Sequence, residues 1–324
     1  MITLPKLIIV VPCYNEEAVL HETNRKLSAL CDEMIRNDLT SDCKIYYVDD
    51  GSKDTTWNII LHLSTTCQYA CGIKLARNVG HQNALLAGLH EAKNRCDIAI
   101  SIDADLQDDI HVIPQMVQEF LKGNDIVYGV RNKRESDTWF KRSTALAFYR
   151  LMHMLGVNTI YNHADFRLMS SRALDQLYHF RERNLFLRGL VPLIGYHTSC
   201  VYYDRSERLA GESKYPFTKM LNFAIEGVTS FSIKPVRLVF ILGVIFLLIA
   251  ICILCYVMIS ILNHQVVPGW SSIMLSIWFV GASILMGLGI VGEYIGKIYI
   301  EVKDRPRYNI EINNIKKDVT TSLK

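Results

Sequence analysis

A doubly wound, mostly parallel α/β sheet followed by a membrane anchor is the fold that this 324-residue sequence predicts. Three observations carry that expectation. Short apolar, β-branched runs alternate with stretches of 3.6-residue periodicity from Lys6 to Arg131. Polar clusters fall at the ends of those runs. From Leu238 to Gly292 there is no Asp, Glu, Lys or Arg, in a chain that is 21% charged overall.

The strand-like runs are Lys6–Tyr14, Cys43–Asp49, Cys71–Ala76, Asp97–Asp103 and Asp125–Arg131. Between them, Glu16–Arg36, Thr55–Thr66, Gln82–Asn94 and Val112–Lys122 carry apolar residues at helical spacing. Strands and helices alternating at this pitch build a parallel sheet covered by helices on both faces. Ligands of such sheets sit at the carboxyl ends of the strands. There the sequence places Asn15-Glu16, then Asp49-Asp50-Gly51-Ser52, then Asp103-Ala104-Asp105. No Gly-x-Gly-x-x-Gly follows the first strand and no Gly-Lys-Ser/Thr loop occurs, so neither a dinucleotide site nor a P-loop is expected.

Composition narrows the class further. Half of the residues are hydrophobic and the mean hydropathy is +0.16, which excludes a disordered or collagen-like chain. With 35 basic and 32 acidic residues the net charge is +3, which leaves no nucleic-acid footprint. The first apolar run, Leu7–Val11, ends at Pro12 and is too short for a signal peptide. The nine cysteines are odd in number and irregular in spacing, and no second pair completes a metal site with Cys67 and Cys71. All nine are therefore expected as free thiols of a reduced, cytosolic chain.

The uncharged stretch divides at Asn263–Trp270, with its Pro268-Gly269 turn, into Leu238–Leu262 and Ser271–Gly292. The first segment would extend about 37 Å as a helix, enough for a hydrocarbon core of about 30 Å. Lys234 and Arg237 precede it, while Lys297, Lys303, Arg305 and Arg307 follow the second, and the hairpin between carries no charge. Positive flanks on both sides predict two spans with both termini cytosolic. Just before them, Phe217, Met220, Leu221, Ala224, Val228 and Phe231 share one helical face. Their position favours an interfacial helix over one packed on the core. The expected divisions are 1–214 for the cytosolic α/β domain, 215–234 for the amphipathic helix, 235–297 for the two-helix hairpin and 298–324 for a cytosolic tail.

The sharpest chemical signal is Ser101-Ile102-Asp103-Ala104-Asp105-Leu106-Gln107. Two carboxylates leaving a buried strand repel each other unless a cation compensates, and a hard divalent ion held by oxygen ligands does so economically. Helix capping by Asp105 or Asp109 is the structural alternative. Val48-Asp49-Asp50-Gly51-Ser52 supplies acceptors for a ribose hydroxyl or a base N–H, or else an Asx turn and a cap. Pro12-Cys13-Tyr14-Asn15-Glu16-Glu17 adds a polar group and a stackable aromatic at the same rim.

Together with Ala76-Arg77-Asn78-Val79-Gly80, Ala164-Asp165-Phe166-Arg167-Leu168-Met169, Arg208-Leu209-Ala210-Gly211-Glu212-Ser213-Lys214-Tyr215 and Gly292-Glu293-Tyr294-Ile295-Gly296-Lys297, these blocks resemble glycosyltransferase family 2. The likeness is to its polyprenyl-phosphate branch, which has a GT-A fold and includes the dolichol-phosphate mannose synthases and the bactoprenol glucosyl transferases. It runs from Leu7 to about Tyr308. The resemblance implies hexose transfer from a nucleotide-diphosphate sugar, UDP-glucose favoured, to a polyprenyl phosphate, with Mg²⁺ or Mn²⁺ as cofactor. It implies a nucleotide-sugar pocket of Pro12, Tyr14, Glu16, Asp49, Asp50, Arg77, Asp103 and Arg167. Asp103, Asp105 and Gln107 would hold the metal. Arg131, Arg142 and Ser143 would meet the acceptor phosphate, and Asp103, Asp105, Asp165 and Arg131 form the implied catalytic set. Two positions depart from the pattern: many relatives carry Gly-Lys where this chain has Gly80-His81, and Leu146 stands where a hydroxyl is expected in the mannose synthases. The branch further implies a homo-oligomer and, because the product forms on the cytosolic side, a flippase downstream. The competing functions are a processive polysaccharide synthase and a noncatalytic sugar-nucleotide sensor. The chain lacks the Gln-x-x-Arg-Trp motif of the first, and its intact Asp103/Asp105/Gln107 set argues against the second.

Overall fold

A computed structural model describes residues 4–131, 163–183, 187–204 and 269–315, together with single positions between 236 and 255. Its first half alternates as expected: β1 (Lys6–Cys13), α1 (Leu20–Arg36), β2 (Asp42–Asp49), α2 (Thr56–Thr66), β3 (Ala70–Leu75), α3 (His81–Ala92) and β4 (Ile98–Ser101). A 3₁₀ turn at Ile110–Val112, capped by Asp109 accepting from the His111 amide at 2.9 Å, leads into α4 (Ile113–Leu121) and β5 (Ile126–Arg131). Then follow β6 (His163–Ser170), α5 (Ser171–His179), α6 (Leu187–Leu193), β7 (Thr198–Tyr203), α7 (Trp270–Lys303) and β8 (Ile310–Asn313).

Among the described residues, eight strands form one sheet in the order β7-β5-β6-β4-β1-β2-β3-β8. Four pairings are parallel (β1 with β2, β1 with β4, β2 with β3, β5 with β7) and three are antiparallel (β4 with β6, β5 with β6, β3 with β8). The sheet is thus mixed, because β6 enters between β4 and β5 against both neighbours.

Period-two alternation on β1 explains why the sheet is covered twice. Leu7, Ile9 and Val11 point into one core with Leu20 and Leu27 of α1, Ile60 of α2 and Met116 of α4. Ile8 and Val10 point into the other, with Leu85 and Leu89 of α3, Leu174 of α5 and Val191 of α6. Gly88 lets α3 approach closely, since a Cβ there would stand 2.3 Å from Val10 Cγ1.

Two findings depart from the sequence expectation. Cys31 of α1 and Cys43 of β2 are joined as a disulfide, Cα–Cα 5.7 Å, where free thiols were expected; sequence spacing could not foresee it because the helix return brings the two together. The tail after the apolar region also does not end as a tail, because β8 adds an edge strand to β3.

The chain divides into a sheet-bearing unit, which includes the segment from Arg305 onward, and a second unit that holds α7. Among the described residues, the 25-residue segment Phe279–Lys303 within α7 is long and apolar enough to cross a membrane, with a mean hydropathy of 1.6 over an 18-residue window. Its large side chains are open, as at Leu285 and Met286. The segment expected as a first span is described only at scattered positions, and the amphipathic stretch 215–231 lies outside the described residues.

Candidate active site

The parallel core aligns the carboxyl ends of β1, β2 and β4 on one rim, and the sequence clusters sit there. After β1, Asn15 adopts a left-handed φ of +57°, and its side-chain carbonyl accepts from the Lys53 amide at 2.9 Å. The Asn15 amide in turn donates to Ser52 Oγ at 3.0 Å, and the Glu16 amide to Thr56 Oγ1 at 2.8 Å. The loops after β1 and β2 are therefore one laced structure. Pro12 is buried within it, while Tyr14 stands open beside it.

Asp49 and Asp50 divide their labour. Asp49 is fully buried; Oδ1 accepts from the Ser52 amide at 3.2 Å, whereas Oδ2 has no hydrogen-bond partner. Burial raises its carboxyl above the usual range. A buried acceptor without a donor is costly, so this oxygen is suited to a ligand N–H or O–H. Asp50 instead brackets the loop before α3: Oδ1 accepts from the Val79 amide at 2.7 Å and Oδ2 from the Gly80 amide at 2.9 Å. Gly51, at φ +66°, leaves no room for a side chain, since a Cβ would lie 2.7 Å from the Arg77 carbonyl carbon. Arg77 is thereby held on the rim with its side chain exposed.

Register explains how Asp103 meets Asp165. Ser101 pairs with Arg167 across the antiparallel β4–β6 ladder, so two residues onward on β4 face two residues back on β6. Ser101 Oγ also donates to the Asp165 carbonyl. Asp165 then accepts from Arg167 Nη2 at 2.6 Å and from Arg188 Nη2 at 3.2 Å. Burial would raise the Asp165 carboxyl, but the guanidiniums of Arg188 and Arg167, with His81, hold it well below the usual carboxylate range. Such a carboxylate is a weak base. His81 Nε2 bridges the pair, 3.5 Å from Asp103 Oδ1 and 3.8 Å from Asp165 Oδ2.

Asp103 moves the opposite way. Burial, chiefly, and the carboxylates of Asp165, Asp108 and Asp105 push it up to about 6, against the pull of His81. Its side chain still keeps 43% of its area open, so it is reachable from the rim. Leu106 at φ +45° turns the chain sharply, and the Gln107 amide donates to Asp105 Oδ1 at 3.3 Å. Thr23 Oγ1 of α1 pins this loop from behind, donating to the Ala104 carbonyl at 2.6 Å. Gln107 itself is buried.

The donor set fits a hard divalent cation. Asp103 and Asp105 offer oxygen, and the neighbouring carboxylates, which add to burial in lifting Asp103, are charges that a cation would offset. Among the described residues no three His, Cys, Asp or Glu side chains converge as a metal cage. A bound ion would rest on few protein ligands, as Mg²⁺ does when substrate phosphates complete its shell.

Arg131, expected to meet an acceptor phosphate, ends β5 in a buried network. Its Nη2 donates to Asp108 Oδ1 at 2.7 Å, and Tyr203 OH donates to the same oxygen at 2.6 Å. Burial opposes the guanidinium charge there, but Asp108 and Tyr203 more than offset it and raise its pKa. Arg142 and Ser143 lie outside the described residues. Sequence reasoning missed Arg188, Asp108 and Tyr203. Asp108 directly follows Gln107 and was findable as a further carboxylate beside the cluster; Arg188 and Tyr203 reach the site only through tertiary packing, with no local signal.

Comparison with known proteins shows the family. Glycosyl transferase family 2 matches residues 8–178. An uncharacterized glycosyltransferase of Bacillus subtilis (strain 168), YkoT, is 55% identical over 311 residues, covering 95% of this chain and 92% of its own. The bactoprenol glucosyl transferase of Shigella phage SfII is 39% identical, covering 94% of this chain and 97% of its own. Among solved structures, glucosyl-3-phosphoglycerate synthase from Mycobacterium tuberculosis is 17% identical at a TM-score of 0.45, covering 69% of this chain and 78% of its own. The chain belongs to glycosyl transferase family 2 and is a glycosyltransferase.

Proposed function

We propose that this glycosyltransferase moves a hexose from a nucleotide-diphosphate sugar, UDP-glucose favoured, to a polyprenyl phosphate. The reaction takes place on the cytosolic face of a membrane that the chain spans twice, and it inverts the anomeric carbon. The observation that carries this reading is the 39% identity to a bactoprenol glucosyl transferase over 311 residues, which reaches past the rim into the apolar C-terminal region. The charge-free stretch Leu238–Gly292 supports the anchor.

In this reading Asp49 Oδ2 accepts from the nucleotide, with Tyr14 beside it and Asp50 holding the Arg77–Gly80 loop in place. Asp103 and Asp105 hold Mg²⁺ or Mn²⁺ with Gln107 nearby, and the ion supplies charge neutralisation for the leaving diphosphate. A phosphate monoester with a second pKa near 6 is mostly dianionic at neutral pH, so the acceptor needs no general base. One of its oxygens bonds to the anomeric carbon as the bond to the nucleotide diphosphate breaks, and that diphosphate leaves with the electron pair. Asp165, ion-paired twice, works by position: it fixes His81 and Arg188 against Asp103. Arg131, with Arg142 and Ser143, faces the acceptor phosphate, its guanidinium aimed by Asp108 and Tyr203.

The test is to incubate the reconstituted chain with undecaprenyl phosphate and Mg²⁺ or Mn²⁺, giving UDP-glucose, UDP-N-acetylglucosamine and GDP-mannose separately. Mass spectrometry of the lipid extract should show one added hexose with UDP-glucose. A polymer, or nucleotide-sugar binding with no lipid product from any donor, would overturn the proposal.

A further inference from the structure

Away from the rim, the last segment of the chain builds a second feature. Two residues past Lys303, where α7 ends, the backbone joins the sheet-bearing unit at Arg305. Arg307 Nη2 donates to the Phe180 carbonyl at 2.7 Å, which sets this segment beside the loop after α5. From there it is held closely: Tyr308 OH meets His90 Nδ1 at 2.8 Å, and the Ala76 amide donates to the Asn309 carbonyl at 2.9 Å. Arg181, Arg183, Arg305 and Arg307 all fall within three residues of that one Arg307–Phe180 bond. Arg181 and Arg305 are exposed, and Arg183 and Arg307 are partly so; Glu182 and Asp304 are the acidic residues within the same spans.

Chain length limits what this surface can face. A residue spans at most about 3.6 Å, so Arg305 and Arg307 lie within roughly 15 Å of the end of a helix able to cross a membrane. With that helix in a bilayer, the tether keeps both arginines on the side where the helix leaves the membrane and lets them reach its headgroup layer. Anionic headgroups attract Lys and Arg there, over a reach of one Debye length.

We infer that the face formed by Arg181, Arg183, Arg305 and Arg307 docks on anionic phospholipid headgroups and so holds the sheet-bearing unit against the bilayer. This rests on the membrane-anchored reading above. None of the four arginines belongs to the rim, so docking and chemistry can be separated.

The full chain is reconstituted in nanodiscs of phosphatidylcholine alone and of phosphatidylcholine with phosphatidylglycerol, and amide hydrogen exchange is followed by mass spectrometry. Residues 178–183 and 305–309 should exchange up to about thirtyfold more slowly in the anionic discs, the size that two surface-held arginines give. The difference should vanish at high salt and in an Arg181→Gln/Arg305→Gln variant, while β1, β2 and β4 exchange unchanged. Equal exchange of the two segments in both discs would overturn the inference and leave the anchor standing. A chain that does not enter the discs would overturn both.

Discussion

Asp105 and Asp165 are both carboxylates of the candidate site, yet their environments suit them to different tasks. Asp105 stands on the turn after β4 beside the carboxylate of Asp103, and the proposed function makes it an oxygen ligand of the ion that neutralises the leaving diphosphate. Asp105→Ala should lower turnover by at least about a hundredfold, and Mn²⁺ binding measured by calorimetry should weaken in parallel. The chain should still insert in membranes; unchanged turnover would remove the metal assignment. Asp165→Asn should act through stability. Arg167 is 1% exposed, and losing its counter-ion strands a buried charge, at a cost of about 3–5 kcal/mol. Measured below the melting transition, the variant should keep more than about a tenth of the rate, because a lost general base would cost about a hundredfold or more. The legibility of the site follows the same division. Asp103, Asp105, Asp49 and Asp50 were readable because each is a carboxylate next to a strand end in one continuous stretch of chain. Arg188 on α6 and Tyr203 on β7 were not, because their roles come from pairing across the sheet. Asp50 was readable as a rim residue, but both of its oxygens turn inward to the Val79 and Gly80 amides.

Helix α3 links the rim to the core, since it begins at His81 and packs Gly88 on β1 and β2. Gly88→Ala would place a methyl group 2.3 Å from Val10 Cγ1 and 2.8 Å from Val48 Cγ2, and overpacking of that kind costs about 1–3 kcal/mol. The helix must shift outward, carrying His81 from Asp103, so thermal stability and turnover should fall together; a variant with wild-type melting would refute the close packing. The far end of α3 carries His90, stacked edge-on against Tyr178 and bonded to Tyr308. Burial, assisted by Arg307 and Lys93, pushes its pKa from 6.5 down to about 4. The unfolded chain therefore takes up this proton first as pH falls. Stability from this group is complete above about pH 6.5 and declines toward pH 4, by on the order of 2–3 kcal/mol. His90→Gln should flatten that slope in melting curves recorded across the window, and an unchanged slope would sink the assignment. The five strands β1 to β5 and helices α1 to α4 were legible because their apolar periods are strong and local. Strands β6, β7 and β8 were not assigned: Asp165 and Arg167 break the apolar run of β6, β7 is six residues long with Thr198, Cys200 and Tyr202 exposed, and β8 has four residues whose pairing partner lies over two hundred positions away.

At the scale of the whole molecule, the catalytic unit is not a contiguous N-terminal domain. The chain leaves it for the apolar region and returns, and β8 closes the β3 edge by pairing Lys74 with Ile312 and Leu75 with Ile310. Asn314 donates from its amide to the Gly72 carbonyl at 2.9 Å, while Tyr308, Ile310 and Ile315 pack against the core on the α3 face. Uncovering those three side chains should cost on the order of 3–5 kcal/mol, at about 1–2 kcal/mol for each partly buried group. A domain of this size has only about 5–15 kcal/mol in hand. A chain ending at residue 231 should therefore melt well below the full protein even in detergent, and the bare β3 edge should drive association by strand pairing. Joining residues 305–315 to that chain through a flexible linker should restore both the melting temperature and the monodisperse elution, with no membrane segment present. Circular dichroism melts and size-exclusion profiles of the two forms decide the matter. If the chain ending at 231 melts like the linked form, β8 is dispensable and the sheet-bearing unit is complete without its C-terminal strand.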